Sequence, residues 1–179
     1  MSKPFFPDKV AFFTAITYGE EKPLQEVTES LSLILGKPVF TSVKYDFSSF
    51  TDYYEKEMGS SLKKQIFFFE KLKSPDFLVE LKWACYELEK KTSKGDGKRR
   101  VNIDPGYLAL SKLVLATFKD FSHRIYIGKS VFAEVTLIFK NKKFVPLPWT
   151  YPDYSQEKIV NFLIEVRNWY KETLRSSHC

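Results

Sequence analysis

The feature that most constrains this chain is the run Lys9 to Tyr18, KVAFFTAITY, whose only polar members after Lys9 are two threonines. A strand buried on both faces reads as a continuous apolar run rather than as an alternation. This segment must therefore be a central strand, and the rest of the chain must cover it. Leu24, Val27, Leu31 and Ile34 follow at helical spacing, with Gly36 as the stop. Pro38 to Phe47 returns as a second strand and Lys64 to Phe69 as a third. Ser74, Pro75 and Asp76 open a helix with Leu78, Leu81, Cys85 and Leu88 as its buried stripe.

The second half is less regular. Thr92 to Lys98 reads as a flexible basic loop, and Arg99 to Asp104 as a short strand. Asp104-Pro105-Gly106-Tyr107 has the composition of a type II turn, and Tyr107 to Thr117 fits either helix or strand, its first half leaning to helix. His123 to Ile127 and Val131 to Phe139 alternate on either side of Gly128-Lys129-Ser130, which predicts a hairpin. Pro146 and Pro148 keep the next segment at a sheet edge or outside the sheet. Ser155 caps a last helix with Ile159, Leu163, Val166 and Tyr170 on one face. This order predicts a single α+β domain over residues 1–179 with a mostly antiparallel sheet. Its core would be a ferredoxin-like β-α-β-β-α-β unit, with a C-terminal hairpin and helix added. Such a fold serves many functions and selects none.

At 179 residues and 44% hydrophobic, the chain can bury a core without metal or disulfide staples. Cys85 and Cys179 suit neither a disulfide framework nor a zinc site. No apolar run reaches membrane-spanning length and the first residues lack a signal-peptide core. The expectation is a cytoplasmic protein with no membrane partner. The net charge of +6 gathers at Lys90, Lys91, Lys94, Lys98, Arg99 and Arg100, and again at Lys140, Lys142 and Lys143. That weakly favours polyanionic partners.

Four motifs carry candidate chemistry. Asp52, Glu55 and Glu57 follow Asp46 closely, and on a helix over 51–58 Asp52 and Glu55 share a face. They could hold Mg²⁺ with phosphate oxygens completing its shell, or simply answer a helix dipole. In VNIDPGY, Asn102 and Asp104 project from one side of a strand ahead of Tyr107. In KDFSHRIYIG, Lys119, His123 and Arg124 combine an acid–base group with phosphate-binding cations. A two- or four-residue hairpin turn puts His123 on the face of Glu134, and a three-residue turn puts Arg124 there. In WTYPDY, Trp149, Asp153 and Tyr154 can stack on a base, lid a pocket, or staple the last helix to the sheet. The phosphate-loop pattern GxxxxGK[ST] and the patterns GxGxxG, GxSxG and HExxH are absent.

TDYYEKEMG (51–59), RRVNIDPGYLALSKLVLATFKDFSHRIYIG (99–128), AEVTL (133–137) and WTYPDY (149–154) together resemble the prokaryotic family catalogued as domain of unknown function 4416. The resemblance runs over essentially the whole chain. Its signature strings match at Asp52, Tyr53, Glu57, Asn102, Asp104, Tyr107, Lys119, His123, Arg124, Glu134, Thr136, Trp149, Asp153 and Tyr154. It implies no established activity, but a signature this rich in polar residues implies a site. The leading expectation is an enzyme or binding protein for a small phosphorylated ligand such as a nucleotide. Lys119 and Arg124 would hold phosphate, His123 would be acid or base, and Asp104 with Glu134 would position metal or substrate. Asn102, Tyr107, Trp149, Asp153 and Tyr154 would complete the ligand contacts. The alternatives are a non-catalytic RNA-binding module and an interaction subunit without a pocket.

Overall fold

In the computed structural model, which describes residues 3–177, Ala11–Tyr18 forms strand β1 and every residue of it is buried. The other strands are β2 (Pro38–Thr41), β3 (Tyr45–Asp46), β4 (Lys63–Phe69), β5 (Val101–Ala109), β6 (Lys112–Thr117), β7 (Ile125–Gly128), β8 (Val131–Lys140) and β9 (Lys143–Pro146). The helices are α1 (Glu21–Leu35), α2 (Glu55–Met58), α3 (Leu78–Lys91) and α4 (Glu157–Ser177). The strands form one nine-stranded sheet in the order β2-β4-β1-β5-β6-β8-β7, with β3 also on β4 and β9 on β8. Every ladder is antiparallel. The alternation of β1 divides the core in two. Phe12, Ile16 and Tyr18 face α1 and α3, whereas Ala11, Phe13 and Ala15 face α4. No helix among the described residues is long and apolar enough to cross a membrane.

Several local expectations give way to tertiary pairing. Residues 38–47 are two short strands, interrupted where Ser42 Oγ accepts the Ile66 N–H at 2.9 Å and so replaces a backbone rung. Helix α2 covers only Glu55–Met58, because Ser49 donates its hydroxyl to Asp46 O and makes no capping box with Asp52. A 3₁₀ turn, Pro75–Phe77, precedes α3, and another, Pro152–Ser155, precedes α4. Segment 92–98 is a turn closed by Lys94 N–H to Lys98 O and Gly97 N–H to Lys94 O. Both late hairpins turn on two residues with positive φ, Lys129-Ser130 and Asn141-Lys142, as their right-handed twist requires.

The largest departure concerns Asp104-Pro105-Gly106-Tyr107. It is no turn, and no helix follows it: β5 runs straight through, pairing with β1 from Val101 to Leu108. Its ladder to β6 begins only at Gly106↔Leu115 and ends at Ala109↔Lys112. Upstream of Gly106 the two strands part. Pro105 fits because its nitrogen, by strand alternation, points to the edge that has no partner strand. Gly106 fits because a Cβ there would lie 2.2 Å from Val114 O and 2.6 Å from the Phe13 ring. Gly106→Ala is therefore expected to lower stability by about 3 kcal/mol, and Pro105→Ala to change it by less than about 1 kcal/mol, in urea unfolding.

Candidate functional site

Where β5 and β6 part, a cavity of about 590 Å³ opens through the sheet. Lys82, Tyr86 and Glu89 reach it from α3 on one face. Asn102, Asp104, Glu134 and the segment before α4 enclose it on the other. The parting leaves the backbone of Ile103 without a neighbouring strand on its β6 side, and α3 supplies the missing partners. Glu89 Oε1 accepts the Ile103 N–H, and Lys82 Nζ donates to Ile103 O at 3.5 Å. Both side chains lie on the inward face of their helix and are less than a tenth exposed. Burial is the largest influence on Glu89; it pushes the carboxyl up to about 7, against the opposing pull of Lys82 and the Ile103 N–H. Lys82 also stands 3.9 Å from Asp104 Oδ1, and Asp104 Oδ2 accepts from Asn102 Nδ2 at 2.9 Å.

At the floor, Lys64 shares the inward face of β4 with Ile66 and Phe68. An ammonium there needs a counter-charge. Asp153 Oδ2 provides it at 2.7 Å and also accepts the Tyr45 hydroxyl at 3.0 Å. The rings of Phe47 and Tyr154 close over the ammonium at 4.7 and 4.8 Å. Burial first, and then the Asp153 carboxylate, hold the Tyr45 phenol far above its usual range, so it stays a donor.

The third cluster centres on Glu134, 3% exposed in the middle of β8. Its Oε2 accepts from Arg124 Nε at 2.8 Å and from His123 Nε2 at 3.1 Å. Both residues precede the paired part of β7, so neither is restricted to one face of the hairpin. A carboxylate can only accept, so His123 carries its proton on Nε2 in this contact. The imidazole stacks on Trp149 at 5.0 Å and 13°, and Trp149 Nε1 donates to Val135 O. Glu134 Oε1 has no hydrogen-bond partner in the protein. At the rim, Lys119 Nζ donates to the Tyr53 hydroxyl at 3.1 Å, and that bond lowers the phenol's pKa.

Of the residues singled out from sequence, Asn102, Asp104, Lys119, Arg124, Glu134, Asp153 and Tyr154 line this cavity, together with Tyr53. His123 and Trp149 stand behind Glu134 and orient it. Tyr107 lies in the opposite core with its ring against Phe12 at 6.0 Å. Asp52 and Glu55 do not line the cavity, and Glu57 is held by Arg99 through two bonds of 2.7 Å. Among the described residues no group of three or more His, Cys, Asp or Glu is placed to hold a metal ion. Lys64, Lys82 and Glu89 escaped notice, although a signal existed. Positions 78, 82, 85 and 89 form one helical stripe, so a Lys and a Glu interrupt an otherwise apolar face.

Fold and site together define an antiparallel α+β domain whose parted sheet holds a charged, aromatic-walled cleft. The chain belongs to the family described as domain of unknown function (DUF4416), whose model matches residues 8–170 and so takes in every strand and every residue of the cleft. No curated protein and no solved structure matches it.

Two stability effects follow from these charges. Asp153→Asn leaves Lys64 buried without its counter-charge and is expected to cost about 3–5 kcal/mol. Replacing both members by apolar residues should recover most of that loss in chemical denaturation. Glu89 has a folded pKa raised to about 7, above its unfolded value near 4.5. The folded state therefore holds this proton more tightly, and stability falls as pH rises from about 4.5 through 7. The full loss approaches about 3 kcal/mol. Glu89→Gln is expected to flatten that part of the stability–pH curve and to be the more stable form at pH 8.

Proposed function

We propose that the chain binds a small phosphorylated ligand in the cleft between β5 and β6, a nucleotide being a ligand whose parts suit it. The observation that carries this reading is an imbalance among the lining cations. Lys64, Arg99 and Arg124 are each held by a carboxylate at 2.7–2.8 Å. Lys82 has its nearest carboxylate oxygen at 3.9 Å, and Lys119 is bonded to a phenol. Both lysines face a cavity where an anion would be partly shielded from water, and there their charge counts for more than at a surface. Tyr53, Tyr54, Tyr86, Phe118 and Tyr151 give the walls aromatic faces for a planar group. His123 serves in this reading as a positioning residue, since its Nε2 is committed to Glu134. Asp104 and Glu89 are the better acid–base candidates. The order β2-β4-β1-β5, with α1 and α3 on one face, also supports a ferredoxin-like reading of the first half.

The RNA-binding reading draws less support. Lys94 and Arg100 pair with Glu20, Lys98 with Asp96 and Arg99 with Glu57, so acids of the same chain meet most of that basic segment. Ile125 and Tyr126, 72% and 59% exposed on the terminal strand β7, are the observation that favours protein docking as a second reading.

Calorimetric titration with inorganic pyrophosphate and with nucleoside monophosphates, each with and without Mg²⁺, tests the proposal. Saturable binding is expected, weakened about tenfold, or 1.4 kcal/mol, by Lys119→Ala. No saturable heat from any of these probes would overturn it.

A further inference from the structure

Two residues lining the cleft, close enough to interact electrostatically, each carry a polar atom without a partner in the protein. Glu134 Oε1 and the Tyr154 hydroxyl are both buried and both lack a hydrogen-bond partner. Their residues are 3% and 1% exposed, and both line the cavity. A buried polar group left unsatisfied costs about 1–3 kcal/mol, and buried groups in native proteins nearly always find a partner. The two atoms are complementary. The carboxylate oxygen can only accept, and its neighbour Oε2 is fixed by Arg124 and His123. Burial, reinforced by the carboxylates of Asp153, Asp104 and Glu134, holds the Tyr154 phenol protonated, so it donates. An acceptor and a donor together suit a group that can donate and accept through one atom, which is a hydroxyl.

We propose that this pair forms a hydroxyl-recognition site in the cleft, with Glu134 Oε1 accepting the ligand's O–H and the Tyr154 hydroxyl donating to the same oxygen. This rests on the phosphorylated-ligand reading and names its class: a sugar phosphate, with its phosphate towards Lys119 and Lys82 and a ring hydroxyl against β8. The partly exposed Asp104 carboxylate, which also lines the cavity, can take a second hydroxyl. Neither a simple phosphate ester nor a bare polyphosphate would meet the pair.

The test compares three probes on the full chain by calorimetry: ribose 5-phosphate, n-pentyl phosphate, and free ribose. Ribose 5-phosphate is expected to bind about tenfold more tightly than pentyl phosphate, the order of one hydrogen bond to a charged group. Tyr154→Phe removes the neutral donor and keeps the Glu134 acceptor, so it should lower that ratio about threefold and leave the melting temperature within about 2 °C of the parent, since the lost hydroxyl has no partner in the free protein. Equal binding of the two phosphates overturns the hydroxyl site and leaves the phosphate reading standing. A ratio that persists in Tyr154→Phe overturns the assignment to this pair. Binding of ribose alone, with neither phosphate, removes the phosphate reading and keeps the hydroxyl site. Absence of binding by all three overturns both.

Discussion

The parting of β5 from β6 is the constraint on which the rest of this structure depends. A sheet that opens in its interior exposes backbone groups that must find partners, because buried N–H and C=O groups are almost always paired. The chain meets that requirement with side chains from α3, and this explains a Lys and a Glu on a face that packing alone would have made apolar. The same opening explains the order Pro105-Gly106: a residue with no donor where none is needed, then one with no side chain where the strands close again. The cleft follows from how the sheet is built, and the charges along it are in part the means by which it is kept open.

Keeping charges in such a place requires compensation on every side. Lys64 is met by a carboxylate, a phenol and two ring faces, and Glu134 by a guanidinium and an imidazole braced on an indole. Both arrangements draw on the segment 149–154, which fastens the start of α4 to the sheet while supplying the floor of the cavity. Asp153 Oδ2 is engaged there by both Lys64 and Tyr45. Buried pairs of this kind add little net stability over apolar packing, but each half is costly without the other. They fix which way the strands and loops around the cleft can pack.

Much of this was legible in the sequence. The run in β1, the stripes of α1, α3 and α4, and the hairpin on Lys129-Ser130 all follow from periodicity and turn composition, and the structure has them. Pro105-Gly106 was misread because its local chemistry is that of a turn. What overrides it is pairing with β1, ninety residues earlier in the chain, which no local window contains. Residues 42–44 broke a predicted strand for a similar reason, since Ser42 mimics a rung only when β4 lies beside it. For the cleft, most residues of the polar motifs meet along its lining. The roles within it were not legible. Whether His123 or Arg124 reaches Glu134 depended on hairpin register, and both do because both precede Ile125, the first paired residue of β7. Lys82 and Glu89 are marked only by their place in the apolar stripe of α3, and Lys64 only by its place in the alternation of β4.

The short ladder between β5 and β6 has a mechanical consequence. Four residue pairs join the half of the sheet built on β1 to the half built on β8. Hydrogen-bonded rungs are what resist shear and twist between neighbouring strands, and along the central path β4-β1-β5-β6-β8 this seam is the shortest ladder. A molecule held by β5 on one side and β8 on the other would stand in for the missing rungs and stiffen the seam, so that occupancy registers as a change in the rigidity of the whole sheet.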